Sequence, residues 1–232
     1  PRAMDDPQFA IGFYLVFLLS VTAHEAAHAW SAMRLGDHTA YLAGQVTLDP
    51  LPHIRREPFG MVILPAISVF TIGFPLGFAH APYDPFWAIR YPKRAAWMAL
   101  AGPGANLIIA TLAAIGLKVG LSTGYFEPNY GATKLLLARG ASEGVAVALA
   151  TFASLTFFMN LLLLVFNLIP VPPLDGSGAL PLVLPGKTMR KVNGFFDQPW
   201  AGMAGLMFAW LTISRLFWPI FDGAVRTLFG IG

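Results

Sequence analysis

Cysteine is absent from all 232 residues, which excludes disulfides and thiolate metal ligands. Charge is scarce: Asp, Glu, Lys and Arg together make up 12%, against roughly a quarter in an average soluble domain. No run of Lys and Arg interleaves with aromatics, so the net charge of +3 and isoelectric point near 9.4 do not signal a nucleic-acid partner. Cations flanking membrane spans account for them. There is no internal repeat, low-complexity tract or polar linker. No cleavable leader is expected, because the first apolar run carries a motif that must be retained. Pro1-Arg2-Ala3 ahead of Met4 read as a remnant of expression.

What remains is apolar: 56% of residues are hydrophobic and the mean hydropathy is +0.62. Such a chain is expected to be an all-α, polytopic membrane protein, one membrane-embedded domain over residues 1–232. Its length suits a bundle of about five to six transmembrane or re-entrant helices in contact with the lipid bilayer. The apolar runs cover residues 9–33, 58–79, 95–119, 143–169 and about 200–221. The second is broken by Pro65, Gly73, Pro75 and Gly77, which predicts a bent or re-entrant segment. Between the first two, residues 39–49 contain β-formers interrupted by Gly44 and closed by Asp49-Pro50. They read as a short membrane-associated β hairpin after the first helix, or as a plain connection.

Thr22-Ala23-His24-Glu25-Ala26-Ala27-His28 places two imidazoles and a carboxylate inside the first apolar run. At 3.6 residues per turn His24 and His28 share a helix face, one turn apart, where two neutral imidazoles can clamp one zinc ion. Glu25 lies close enough to take a proton from water there. Ionisable groups in a spanning helix are expensive and usually mark function. A catalytic zinc commonly has three protein ligands, so a third is sought. His38, His53 and His80 read as ordinary exposed histidines of loops. Asp175 is the better candidate, because it follows a spanning run in the proline-broken segment Asn167-Leu168-Ile169-Pro170-Val171-Pro172-Pro173-Leu174-Asp175-Gly176. Non-helical chain at membrane depth is tolerated where it lines a cavity. Asn106, in the third run, is a buried amide that needs a partner.

His24-Glu25-Ala26-Ala27-His28, Ala101-Gly102-Pro103-Gly104-Ala105-Asn106 and the Asn167–Gly176 stretch together resemble the site-2 protease family of intramembrane zinc metalloproteases, over roughly residues 15–180. The resemblance implies that His24, His28 and Asp175 bind one zinc per chain and that Glu25 is the general base. It further implies that Asn167 hydrogen-bonds the scissile carbonyl or substrate backbone, and that Asn106 supports the site or the substrate strand. The substrate would be a transmembrane protein cleaved within or beside its span, as in regulated intramembrane proteolysis. Asp49 stands where relatives often carry Asn, and Gln45 where they often carry a basic residue. No PDZ or CBS domain of the kind some relatives carry is expected within these residues. The rival readings are a membrane-embedded metal-binding or transport protein without proteolysis, and a silent scaffold.

Convergence of His24, His28 and Asp175 sets a parity condition. The first and fourth runs must point the same way, so an odd number of crossings lies between them, and run 58–79 is the one expected to make no net crossing. Nine cations then fall on the side of His24 and Asp175 (Arg34, Arg55, Arg56, Arg90, Lys93, Arg94, Lys187, Arg190 and Lys191). Five fall opposite: Arg2, Lys118, Lys134, Arg139 and Arg226. The excess marks that side as cytoplasmic and puts the site nearer the cytoplasm; the resemblance implies a bacterial or archaeal inner membrane.

Overall fold

A computed structural model describes residues 7–129 and 135–230. Pro1-Arg2-Ala3, expected above to be a remnant, and Lys134 lie outside the described residues. Four helices are long and apolar enough to cross a membrane: α1 (Pro7–Leu35), α6 (Pro92–Ser122), α7 (Val145–Asn167) and α10 (Ala201–Phe229). The chain is therefore a multi-pass, all-α membrane protein. Shorter helices connect them: α2 (Thr39–Leu42), α3 (Pro50–Arg56), α4 (Leu64–Ile72), α5 (Pro85–Arg90), α8 (Asp175–Ala179) and α9 (Gly186–Phe196).

In its most apolar stretch α1 is 61% buried, whereas α10 is 22% buried there, so α1 is the axis and α10 a peripheral wall. Helices α6 and α7 pack against α1 and each other. An aromatic cluster stitches the bundle. Phe13 of α1 meets Phe74 edge-on at 5.4 Å and Phe158 of α7 at 6.4 Å. Phe158 in turn meets Phe217 at 5.2 Å and Phe221 at 5.5 Å on α10, and such offset contacts add to simple area burial. Helix α9 has exposed Lys187, Arg190 and Lys191 on one side and half-buried Met189, Val192 and Phe196 on the other, the pattern of a helix lying in a membrane interface.

The broken second run folds back on itself. A single π-helical turn (Phe59–Ile63) leads into α4, which Gly73 ends in the left-handed region at φ 72°. The chain then returns until the Phe78 N–H donates to the Gly60 carbonyl at 3.1 Å. A Cβ on Gly60 would strike the Phe78 carbonyl, so glycine is what lets the two limbs meet. His80 Nδ1 and a Glu57 carboxylate oxygen, 2.9 Å apart, close the base. Entry and exit lie at one level, so this segment makes no net crossing. That leaves α6 as the only full span between α1 and α7 among the described residues, and the parity condition is met.

The hairpin expected at 39–49 is not there. The Asp37 carboxylate accepts from the Thr39 N–H (2.9 Å) and hydroxyl (2.6 Å), an Asx turn that leads into the helical turn α2. Gly44, at φ 71°, ends that turn, and the Asp49 carboxylate caps α3 by accepting from the Leu51 N–H. The stretch between has β-forming side chains but no neighbouring strand, and a strand exists only by pairing. A two-stranded antiparallel hairpin forms instead after α6, pairing β1 (Phe126–Pro128) with β2 (Ala138–Gly140). Arg139 and Glu127 face each other across it at 2.7 Å.

Buried Asp37 also accepts from the Asp84 N–H at 2.8 Å, so it ties the loop after α1 to the start of α5. Burial pushes its pKa up, but the hydrogen bonds from Thr39 and Asp84 outweigh this and hold it below the ordinary carboxylate value. A depressed pKa contributes stability that is present above the unfolded-state value and is lost as pH falls through the folded one. Asp37→Ala is therefore expected to destabilise the detergent-solubilised protein by about 1–3 kcal/mol at neutral pH. The deficit should shrink as the pH is lowered below 4, read from unfolding midpoints across pH. An unchanged midpoint at pH 7 would remove this account of the loop.

Candidate metal centre

The site is assembled from three elements that sequence spacing alone does not bring together. Helix α1 supplies His24 and His28, 6% and 7% exposed, on a face that looks at α6. There the wall is Gly102, where any Cβ would fall on the Nε2 atoms of both rings. Asp175 arrives from the segment after α7. Its neighbour Gly176 sits against the Leu168 and Ile169 carbonyls, a close approach that seats the first turn of α8 on the end of α7. Ile169 and Leu174 pack on Ala209 of α10, and Gly205 of α10 abuts the Pro172 carbonyl, so α10 backs this segment from outside.

His24 Nε2 lies 3.0 Å from Asp175 Oδ2, and His28 Nε2 lies 3.3 Å from Asp175 Oδ1. The two Nε2 atoms are 3.0 Å apart, and one ligand atom from each residue lies within 4.8 Å of the others. The other ring nitrogens are already engaged. His28 Nδ1 donates to the Met98 carbonyl at 2.8 Å, and His24 Nδ1 donates to Asn106 Oδ1 at 2.6 Å. With the proton on Nδ1, each neutral ring turns a lone pair toward the other and toward the carboxylate. Asp175 Oδ2 accordingly has no hydrogen-bond donor despite its short distance to His24. Three acceptors facing one another without a donor repel, and one shared cation resolves all three contacts. The donor set, two imidazoles and a carboxylate, fits zinc.

The remaining residues of interest divide. Glu25 is 5% exposed and its Oε2 has no hydrogen-bond partner among the described residues. Asn106 is fully buried with both amide ends used, since its Nδ2 donates to Asn160 Oδ1 at 2.8 Å. Its place is therefore behind His24. Among the described residues Asn167 makes no hydrogen bond to the cluster; it ends α7 and its Nδ2 donates to the Leu163 carbonyl at 3.0 Å. Of the loop histidines, His38 and His80 are exposed as expected. His53 is not: it is 2% exposed, and its Nε2 donates to the Thr47 carbonyl at 3.0 Å, while Gln45 Nε2 donates to the Pro52 carbonyl. Both bonds brace residues 45–53, which explains why neither side chain faces solvent.

Sequence reasoning missed Asn160 and Ser20. Asn160, 0% exposed, donates to Ser20 Oγ and to the Thr156 carbonyl, both at 2.9 Å. The signal that singled out Asn106, an amide within an apolar helix, was equally present in Phe158-Met159-Asn160-Leu161. Next to the site, Ala23, Ala26 and Trp30 of α1, Thr47 and Leu48 of the braced loop and Ala105 of α6 line an apolar cavity of about 560 Å³.

The profile described as Peptidase family M50 matches residues 12–211. Two relatives carry the name Putative zinc metalloprotease: Rip2 of Mycolicibacterium smegmatis and YwhC of Bacillus subtilis. The first is 34% identical over 175 residues, 75% of this chain and 58% of the relative. The second is 34% identical over 183 residues, 78% of this chain and 73% of the relative. Rip2 of Mycobacterium tuberculosis is 33% identical over 178 residues, and this chain again spans 58% of it. No solved structure matches the chain. A match that takes in α1, α6, α7, Asp175 and the start of α10 covers every element that builds the cluster, and the chain belongs to peptidase family M50, the site-2 protease family.

Proposed function

We propose that this protein is an intramembrane zinc metalloprotease that hydrolyses peptide bonds within or next to transmembrane segments of other proteins, in regulated intramembrane proteolysis. The observation that carries the reading is the donorless convergence of His24, His28 and Asp175, beside a buried carboxylate, Glu25, whose Oε2 is also unpartnered. A polytopic protein has little reason to retain such a cost except for chemistry. The zinc names of the relatives agree with this donor set.

His24, His28 and Asp175 would hold one zinc ion, which when bound supplies Lewis acidity toward a carbonyl and eases deprotonation of water. Glu25 accepts the proton of the attacking water and later returns it to the leaving amine. Asn106 holds the His24 ring. Asn167, at the end of α7, can exchange its Leu163 carbonyl for the substrate backbone. A helical substrate hides its amides in its own hydrogen bonds and must unwind to be cut. The backbone groups of Val46 and Leu48 make no backbone hydrogen bonds among the described residues, so they offer an unwound strand replacement partners beside the apolar cavity. The nine cations on this side support a site nearer the cytoplasm, and the bacterial relatives support an inner membrane as its location.

Two variants test the reading in purified protein with a model transmembrane substrate carrying a helix-breaking residue. Glu25→Gln is expected to retain one bound zinc per chain and to lose at least about 100-fold in cleavage rate. Zinc-dependent cleavage surviving at full rate would sink the mechanism, and zinc exchange across vesicles without cleavage would favour transport instead. Gly102→Ala drives a methyl onto both imidazoles, so zinc affinity should fall by about tenfold or more, measured by chelator competition. Undiminished affinity in that variant would place the metal elsewhere.

A further inference from the structure

His28 and His24 are oriented by different means. The Nδ1–H of His28 meets a backbone carbonyl, that of Met98, which can only accept and so fixes the tautomer outright. His24 meets Asn106, a side-chain amide that could turn over by 180°. Turned over, Asn106 would offer its NH₂ to His24 Nδ1 and move the ring proton to Nε2, where it would block ligation. Something must hold Asn106 in the productive sense.

We propose that Asn160 is that positioning residue: anchored on the Thr156 carbonyl, it sets the direction of the Asn106 amide and thereby keeps the His24 Nε2 lone pair aimed at the metal. The polarity follows from the far end of the chain. The Thr156 carbonyl accepts only, so the Asn160 atom 2.9 Å from it is Nδ2. The other end of the amide, Oδ1, then faces Asn106 and requires a donor, which makes the near atom of Asn106 its Nδ2, at 2.8 Å. Asn106 Oδ1 is left to face His24, whose Nδ1 must carry the proton. Ser20 reinforces the sense: its hydroxyl donates to the Val16 carbonyl at 2.7 Å, leaving Oγ to accept from Asn160 at 2.9 Å. Asn106 and Asn160 are 0% exposed and Ser20 is 3% exposed, so water cannot substitute for a missing partner. The relay joins α1, α6 and α7, with no member of the metal cluster on α7 itself.

This inference rests on His24 being a metal ligand, as proposed above, and is tested apart from activity. Zinc dissociation constants are measured by chelator competition for the wild type, Asn160→Leu, Asn106→Ala and the double variant, together with visible spectra of the cobalt(II)-substituted proteins. Asn160→Leu, which keeps the side-chain heavy-atom count and branching, should weaken zinc about tenfold and shift the cobalt spectrum. In the Asn106→Ala background it should add nothing, because Asn160 acts only through Asn106. Ser154→Ala is the control: Ser154 is equally buried on α7 and hydrogen-bonded to the Ala150 carbonyl, so its loss should lower thermal stability and leave zinc affinity and spectrum unmoved. Should Asn160→Leu fail to fold, Asn160→Ser removes both amide ends and is read the same way. Unchanged zinc affinity in the Asn160 variant, or full additivity with Asn106→Ala, overturns the proposal while leaving the metal reading intact. A wild type that binds no zinc overturns both.

Discussion

The protein is organised around an electrostatic conflict: two imidazole lone pairs and a carboxylate held within hydrogen-bonding distance of each other in the interior of an apolar bundle. In a medium of low dielectric such mutual repulsion is strong, so the surrounding structure must over-determine the three positions. It does so through close backbone approach. Gly102 allows α6 to come up against both rings, and Gly176 allows α8 to dock on the end of α7. Side chains at either point would separate the groups that have to meet.

The same convergence dictates the path of the chain. Two groups on α1 and one beyond α7 can meet only if those helices are parallel, which assigns α6 the single crossing between them. The fold satisfies this with a segment that goes in and comes out again, closed by the Phe78–Gly60 backbone bond and the Glu57–His80 pair. Its aromatic tip is not idle, since Phe74 packs on Phe13 of α1, so the returning segment also buttresses the central helix.

Much of this was legible in the residues. Helical periodicity placed His24 and His28 on one face, and the proline-broken stretch marked Asp175 as lining a cavity. The interrupted run announced itself by Pro65, Gly73, Pro75 and Gly77. Residues 39–49 misled because side-chain composition reports suitability for a strand, whereas a strand needs a partner that no local sequence reveals. The spacing Asp37-x-Thr39 was in fact an Asx-turn signal and the pair Asp49-Pro50 a capping signal, and these local bonds prevailed. His53 and Gln45 were unreadable for a related reason: what buries them is each reaching a carbonyl across the same short loop. Asn160 was readable and overlooked, since its helix has no metal motif to draw attention to it.

The contact of α10 with the Asp175 segment gives the two halves of the cluster unequal moorings. The imidazoles are rooted in the most enclosed of the four spans, while the carboxylate stands at the start of α8, after a segment whose outer support, through Gly205 and Ala209, belongs to the least enclosed span. A loosening of the bundle that begins at its lipid-facing periphery would therefore slacken the acid arm first, leaving the histidine pair in place and the cation held from one side only.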